Sequence, residues 1–338
     1  MNGLLLCAGL GTRFKPATNF LPKPAIPLLN VPLAFYNLQI FQQLGLDKLT
    51  VNLHHLPEKM KSIFETSEDQ VNVPLFFSHE EDVLLGTGGA IKKARPSLEG
   101  KGTFIVGNSD VVTAFSIRDA LDSHHRYQPM ATMIVIPHPE AGKKYGAVWV
   151  NPNNEVVDIG KQKPDGDCEP FHFVGLHLIE ESIFKFIPDG PCDINRDVYM
   201  KAIKEGETVR AFKKVGPWYD CGDLKDYLQA TSEILDLLPK LQHQPFFLSL
   251  FRRFWPNFDR RPNLWEGDRC DHLLSLGSQS KILMERNCQI HSSVKVTGFA
   301  VFGEGVRIHQ DVEIENSVIG AGVEVPAGTK ILNDLVLK

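Results

Sequence analysis

The sequence predicts an α/β protein: a doubly wound, mostly parallel sheet, followed by a small parallel β-helix. Three observations predict it. A short apolar run, Gly3 to Ala8, passes at once into the glycine-rich turn Gly9-Leu10-Gly11-Thr12-Arg13, as when such a sheet delivers its chain to a ligand at the carboxyl end of a strand. Strand-like and helix-like segments then alternate through the first two thirds of the chain. Near the C-terminus aliphatic residues recur at a spacing of six: Ile290, Val296, Phe302, Ile308, Ile314, then after a one-residue slip Ile319, Val325, Ile331 and Leu337.

After the first turn, Leu33 to Leu44 carries apolar residues at helical spacing (Leu33, Tyr36, Ile40, Phe41, Leu44), and Gly45 stops it. Leu49–Leu53 reads as a strand, Pro57–Phe64 as a helix, and Val73–Phe77 as a third strand. Gly86-Thr87-Gly88-Gly89-Ala90 opens a helix, either as an N-cap or as a turn that lets backbone approach a flat or anionic ligand. Glu80 and Glu81 just before it read as solvated surface charge, with orientation of a ligand as the alternative. Thr103 to Asp110 is a buried-type strand ending in an aspartate. Further strands follow at Ala131–Pro137, from Tyr145, at Phe173–Leu178 and at Val209–Lys213. Asp193 to Asp197 reads as a capped helix start.

Composition narrows the function. The 338 residues carry a net charge of −5, so neither nucleic acid nor an anionic membrane is expected as a partner. A phosphate ligand must be held by local cations. Six cysteines lack any Cys-x-x-Cys pair, which argues against a zinc site or a disulfide scaffold and fits a reducing cytoplasm. The twelve histidines show no metal spacing, and His177 reads as a packed residue. No run reaches transmembrane length.

The first turn suits a polyphosphate. Its glycines let backbone N–H groups approach an anion, Thr12 adds a hydroxyl, and Arg13 and Lys23 add two cations. Pro16, Pro22, Pro24 and Pro27 stiffen the loop. A carboxylate at the strand end, Asp110, suits Mg²⁺ held against substrate phosphates, with a helix N-cap as the alternative.

The longer pattern, Gly9-x-Gly11-Thr12-Arg13-x-x-Pro16-x-Thr18-x-x-x-Pro22-Lys23-Pro24, closely resembles the signature of the sugar-1-phosphate nucleotidyltransferases. The resemblance implies a Rossmann-like catalytic domain and transfer of a nucleoside monophosphate from an NTP to a sugar-1-phosphate. It implies nucleotide binding by Ala8, Gly9, Gly11, Thr12 and Arg13, with Gly86, Thr87, Gly88 and Gly89 at the nucleobase. Asn108-Ser109-Asp110 stands where the family has Asn-Gly-Asp. Gly146, after Tyr145, resembles the sugar-facing glycine. Gln162-Lys163-Pro164 resembles the family's Glu-Lys-Pro, with an amide in place of the carboxylate. Lys23, Gly146, Gln162, Lys163, Gly175 and Asn195 form the implied sugar-phosphate side. Trp218-Tyr219-Asp220-Cys221-Gly222-Asp223 resembles Trp-x-Asp-x-Gly-Thr, whose aspartate is a second metal ligand; Asp223 for threonine affects only the cap of the next helix. Arg13, Lys23, Asp110 and Asp220 are then the catalytic set, with Asp110 and Asp220 on Mg²⁺.

Residues 1–235 are expected to form the catalytic domain, 236–280 an aromatic and basic connector, and 281–338 the hexapeptide β-helix. The tail resembles the left-handed β-helices attached to several nucleotidyltransferases; so short a β-helix exposes its terminal coil and flat faces, and a homo-oligomer is expected. In the connector, Phe247, Leu250, Phe251 and Phe254 share one helical face, with Arg252 and Arg253 away from it; packing within the protein or on a second subunit is favoured over a membrane surface. Two alternatives to the enzyme remain: a non-catalytic regulatory or scaffold relative that binds nucleotide sugars, and a bifunctional enzyme whose β-helix transfers an acyl group. Relatives of the first kind usually lose the arginine, lysine or aspartates present here.

Overall fold

The computed structural model describes the chain apart from residues 256–258, 262–263 and 273–279. It divides into two compact units, Met1–Leu10 with Ala34–Trp218, and Gly11–Leu33 with Tyr219–Lys338.

The first unit is built on a sheet of β1 (Asn2–Leu6), β2 (Lys48–Leu53), β3 (Leu75–His79), β4 (Thr103–Asn108), β5 (Ala131–Ile136), β6 (Ala147–Val150), β7 (Val156–Gly160), β8 (Glu169–Glu180) and β9 (Val209–Lys213). Strands β3, β2, β1 and β4 lie side by side, all parallel. Strand β8 runs antiparallel to β4 and to β5, and β9 returns parallel to β5. The first residues of β8 pair with β6, which pairs with β7. The parallel, doubly wound expectation holds, with β8 and the edge strand β7 reversed. Strand β8 is longer than the expected Phe173–Leu178 because its two ends serve different neighbours, and its register with β5 shifts between Phe173 and His177.

Helices α1 (Ala34–Gln43), α2 (Pro57–Glu65), α3 (Gly86–Lys93) and α4 (Arg118–Tyr127) follow the parallel strands. Gly45, just past α1, takes φ +75°, the left-handed turn that glycine adopts at little cost. Leu4, Phe104, Val106, Met133, Val135 and Ile179 are buried in one core cluster, and β5 is buried along its whole length, as expected of strands covered on both faces.

In the second unit, α5 (Leu224–Leu237) begins at Asp223, whose side chain accepts the Asp226 N–H at 2.9 Å. The substituted residue is thus a helix cap, as its type predicts. In α6 (Pro245–Phe254), Phe246, Phe247, Leu250 and Phe251 are buried, and Phe251 stacks on Trp255 at 4.1 Å. The aromatic face packs within the chain, with Phe246 taking the place expected of the half-buried Phe254. The rest of the expected connector falls partly on 256–258, 262–263 and 273–279, outside the described residues.

The tail stacks β10 (Lys281–Met284), β11 (Lys295–Phe302), β12 (Glu313–Ile319) and β13 (Lys330–Leu332) in one parallel ladder. A second parallel ladder joins Gln289–Ile290, Arg307–Ile308 and Glu324–Val325. Ile290 lies opposite Ile308, three hexapeptides on, and Ile308 opposite Val325, one residue short of that spacing. The sequence slip is therefore one shortened coil. Ile290, Phe302, Ile308, Ile314, Ile319 and Val325 share a single core, the stacking that makes such repeats stable only together.

His177, on β8, is 1 % exposed, with Nδ1 2.9 Å from Tyr199 Oη. Burial pushes its pKa down to about 3. Below about pH 6.5 the unfolded chain binds a proton here that the folded chain refuses. This contribution to stability is complete above pH 6.5 and is lost as pH falls toward 3. His177→Gln keeps a polar partner for Tyr199 and removes the titration. The melting temperature of the variant is expected to fall less steeply than that of the wild type between pH 6.5 and 4.5; equal slopes would contradict this.

Candidate active site

Beyond β1 the backbone leaves the ladder, and side chains of both flanking strands take over its hydrogen bonds. The Cys7 N–H donates to Asn52 Oδ1 of β2 at 2.6 Å. On the other side Ser109, just past β4, donates its hydroxyl to the Leu6 carbonyl. Ser109 is buried and has no left-handed φ, so the serine standing for the family's glycine is accommodated and adds a tether. Burial raises the Cys7 thiol to about 12, which leaves it no nucleophile.

The chain then opens to solvent at Gly9. A Cβ added there would meet nothing within 4 Å, and its φ is not left-handed. Gly146 is the same on both counts. Neither packing nor backbone conformation demands a glycine at these two positions. Both leave open space in which the backbone can be approached closely.

The glycines of Gly86–Gly89 are explained differently. A Cβ would stand 2.6 Å from Cys192 O at Gly86, 2.6 Å from Cys192 Sγ at Gly88 and 2.7 Å from Gly190 O at Gly89. The Gly88 N–H donates to Cys192 O at 2.9 Å, and Thr87 Oγ1 accepts the Ile194 N–H at 2.9 Å. The close backbone approach is to residues 190–194 of the chain itself. Those residues lead into a helix capped by Asp193, which accepts N–H groups of Asn195 and Arg196. The side-chain oxygen of Asn195 is buried and has no partner among the described residues.

Asp110 is half-buried just past β4. The preceding turn is fixed by Asn37, which donates to the Asn108 carbonyl and accepts the Thr113 hydroxyl at 3.1 Å. Gly175 has φ +80°, and a Cβ there would come within 3.0 Å of the Asn108 side chain. It thus permits β8 to pass the end of β4. Gln162 and Lys163 are exposed beyond β7.

In the second unit, Gly11 has φ +60° and would carry a Cβ 2.7 Å from Thr18 Cγ2 and 3.1 Å from Lys23 Cβ. Thr18 Oγ1 donates to the Gly11 carbonyl at 3.0 Å. Lys23 is 6 % exposed, its Nζ 5.6 Å from the centre of the Phe14 ring, while Thr12 and Arg13 are exposed. Phe14 packs edge-on against Tyr227 of α5 at 5.6 Å, and Tyr227 Oη donates to the Pro27 carbonyl at 2.5 Å. Asp220 and Arg13 converge on Gly222. A Cβ on it would stand 2.9 Å from the Asp220 carboxylate and 3.2 Å from the Arg13 guanidinium. Gly222 is therefore a spacer that lets these two charged groups share one place.

Two residues of the first unit were not singled out correctly from sequence. Glu80 is no surface charge: it is 2 % exposed and accepts from Asn52 and from the Leu85 N–H. Glu81, by contrast, is exposed. Asn52 was passed over, though an amide inside the apolar run Leu49–Leu53 is the one signal that could have found it, since a buried polar group needs partners.

Residues 2–236 match the family described as nucleotidyl transferase, and the chain belongs to that family. Over 99 % of its length it is 25 % identical to a UTP–glucose-1-phosphate uridylyltransferase of Synechocystis, covering 87 % of that protein. Over its full length it is 27 % identical to mannose-1-phosphate guanylyltransferase 1 of Arabidopsis thaliana, covering 91 % of it. Among solved structures it is similar in fold to HddC from Yersinia pseudotuberculosis, with TM-score 0.58 and 21 % identity over 69 % of this chain and 99 % of that one.

Open and packed glycines are expected to respond oppositely to alanine. Gly9→Ala and Gly146→Ala should melt at or slightly above the wild-type temperature, because alanine restricts the unfolded chain. Gly88→Ala should lose about 1–3 kcal/mol through overpacking. Thermal unfolding of the three variants checks this, and a destabilised Gly9→Ala would contradict it.

Proposed function

We propose that this chain joins a nucleoside monophosphate from an NTP to a sugar-1-phosphate, releasing pyrophosphate and giving an NDP-sugar. The observation that carries this reading is the pair of open glycines, Gly9 and Gly146, at positions matching the family's nucleotide and sugar contacts. The names of its relatives, a uridylyl- and a guanylyltransferase of hexose-1-phosphates, support the same substrate class. In the reaction an oxygen of the sugar phosphate attacks the α-phosphorus, and the bond to the β-phosphate oxygen breaks. The attacking oxygen is already anionic at neutral pH, so alignment and charge neutralisation carry the catalysis.

On this reading the amides from Ala8 to Thr12 receive the triphosphate, and Arg13 neutralises the departing pyrophosphate. Lys23, buried beside Phe14, and Lys163 draw the α-phosphate and the sugar phosphate together. Gly146, Gln162, Gly175 and Asn195 face the sugar, and the buried oxygen of Asn195 supports its place there, because such an atom calls for a donor. The backbone at Gly86–Gly89 sets the edge of the nucleobase pocket.

Asp110 and Asp220 offer two hard carboxylate oxygen donors. Such a sparse donor set fits Mg²⁺, which takes one or two carboxylates and completes its shell with phosphate oxygens and water. When bound, Mg²⁺ supplies charge neutralisation at the phosphates.

Pyrophosphate release over a panel of NTPs and sugar-1-phosphates tests the function, and silence over the whole panel would overturn it. Asp110→Asn and Asp220→Asn keep size and remove charge. Each is expected to fold and to lose about a hundredfold or more in Mg²⁺-dependent turnover, with the double variant little worse than the worse single one. Near-wild-type turnover of both single variants at low Mg²⁺ would contradict the metal assignment.

A further inference from the structure

We propose that Glu80 is a positioning residue that holds the two nucleotide turns of the first unit in one register. This rests on the reading of Ala8–Gly9 and Gly86–Gly89 as nucleotide-binding. Three hydrogen bonds make the link. The Cys7 N–H donates to Asn52 Oδ1 at 2.6 Å, Asn52 Nδ2 donates to Glu80 Oε1 at 2.7 Å, and the Leu85 N–H donates to Glu80 Oε2 at 2.7 Å. The relay runs sideways across the carboxyl ends of the adjacent parallel strands β1, β2 and β3, where Leu6 pairs with Asn52 and Leu53 with His79. Ligands of such sheets bind just beyond those ends.

The relay has one sense. The Asn52 amide must turn its oxygen to Cys7 and its nitrogen to Glu80, and both Glu80 oxygens are then acceptors. The main chain of Glu80 is fixed as well, its N–H donating to Leu53 O at 2.7 Å and its carbonyl accepting from His54 Nδ1 at 2.6 Å. A carboxyl group is costly to bury, and here its two oxygens are met by N–H groups from two different segments. An apolar pair would fill the same space without that cost. What it would not do is fix Leu85, the residue before α3, against Cys7, two residues before Gly9. Displacement of reacting groups by about 1 Å costs on the order of a hundredfold in rate, so the relay sets the distance between base and triphosphate contacts.

Glu80→Gln, Asn52→Ala and the double variant test this beside a control. Glu80→Gln keeps the shape but turns an NH₂ toward one of the two donors. The control, Thr50→Ala, removes the hydroxyl that lies 2.7 Å from Ser97 Oγ, a bond of β2 outside the relay. Amide hydrogen exchange without substrate is read over 7–11 and 85–89. Each relay variant should raise exchange at both turns, the double variant no more than the larger single effect, and the control at neither. In steady state, kcat/KM for the NTP should fall about ten- to a hundredfold, while KM for the sugar-1-phosphate holds. Exchange raised only at the turn beside the mutation, or raised equally by Thr50→Ala, would overturn the relay. A wild-type chain that releases no pyrophosphate would overturn the nucleotidyltransferase reading instead, and the exchange result would still decide the relay.

Discussion

The structure depends on how the backbone is held where β1 ends. A strand that delivers its chain to a ligand must leave the sheet with its next amides uncommitted, yet the last groups inside the protein cannot be left unpaired. The Cys7 N–H and the Leu6 carbonyl are those last groups. Asn52 and Ser109, from the strands on either side, satisfy them. Gly9 can then face solvent with no partner required of its side. Ser109 is also the residue before Asp110, so the tether that closes β1 fixes the start of the turn carrying that carboxylate.

Much of this was legible in the sequence because it is local. The alternation of strands and helices, the cap at Asp223 and the buried face of α6 each depend on residues within a turn or two of one another. The six-residue period was legible for the same reason, and even its slip at Ile319 survives as a shortened coil. The reversal of β8 was not legible, since strand direction is decided by partners distant in sequence.

The candidate site divides along the same line. The signature loop could be read because its glycines, cations and prolines are contiguous. That residues 11–33 group with 219–338 could not be read, nor that Arg13 and Asp220 meet at Gly222. Glycines were legible as a type but not by cause. Gly9 and Gly146 are open, whereas Gly86, Gly88 and Gly89 are demanded by residues 190–194, about a hundred positions away in the chain. Glu80 was misread because charge predicts exposure, and only the fold supplies the two donors that make its burial tolerable.

In the proposed reaction a sugar phosphate oxygen attacks the α-phosphorus of a bound NTP. Phosphorus NMR of the reaction with sugar-1-phosphate labelled by oxygen-18 in its phosphate tests it most directly. The account predicts equal amounts of NDP-sugar and pyrophosphate, with all the label in the NDP-sugar. Label in the pyrophosphate, or pyrophosphate formed without sugar phosphate, would contradict it.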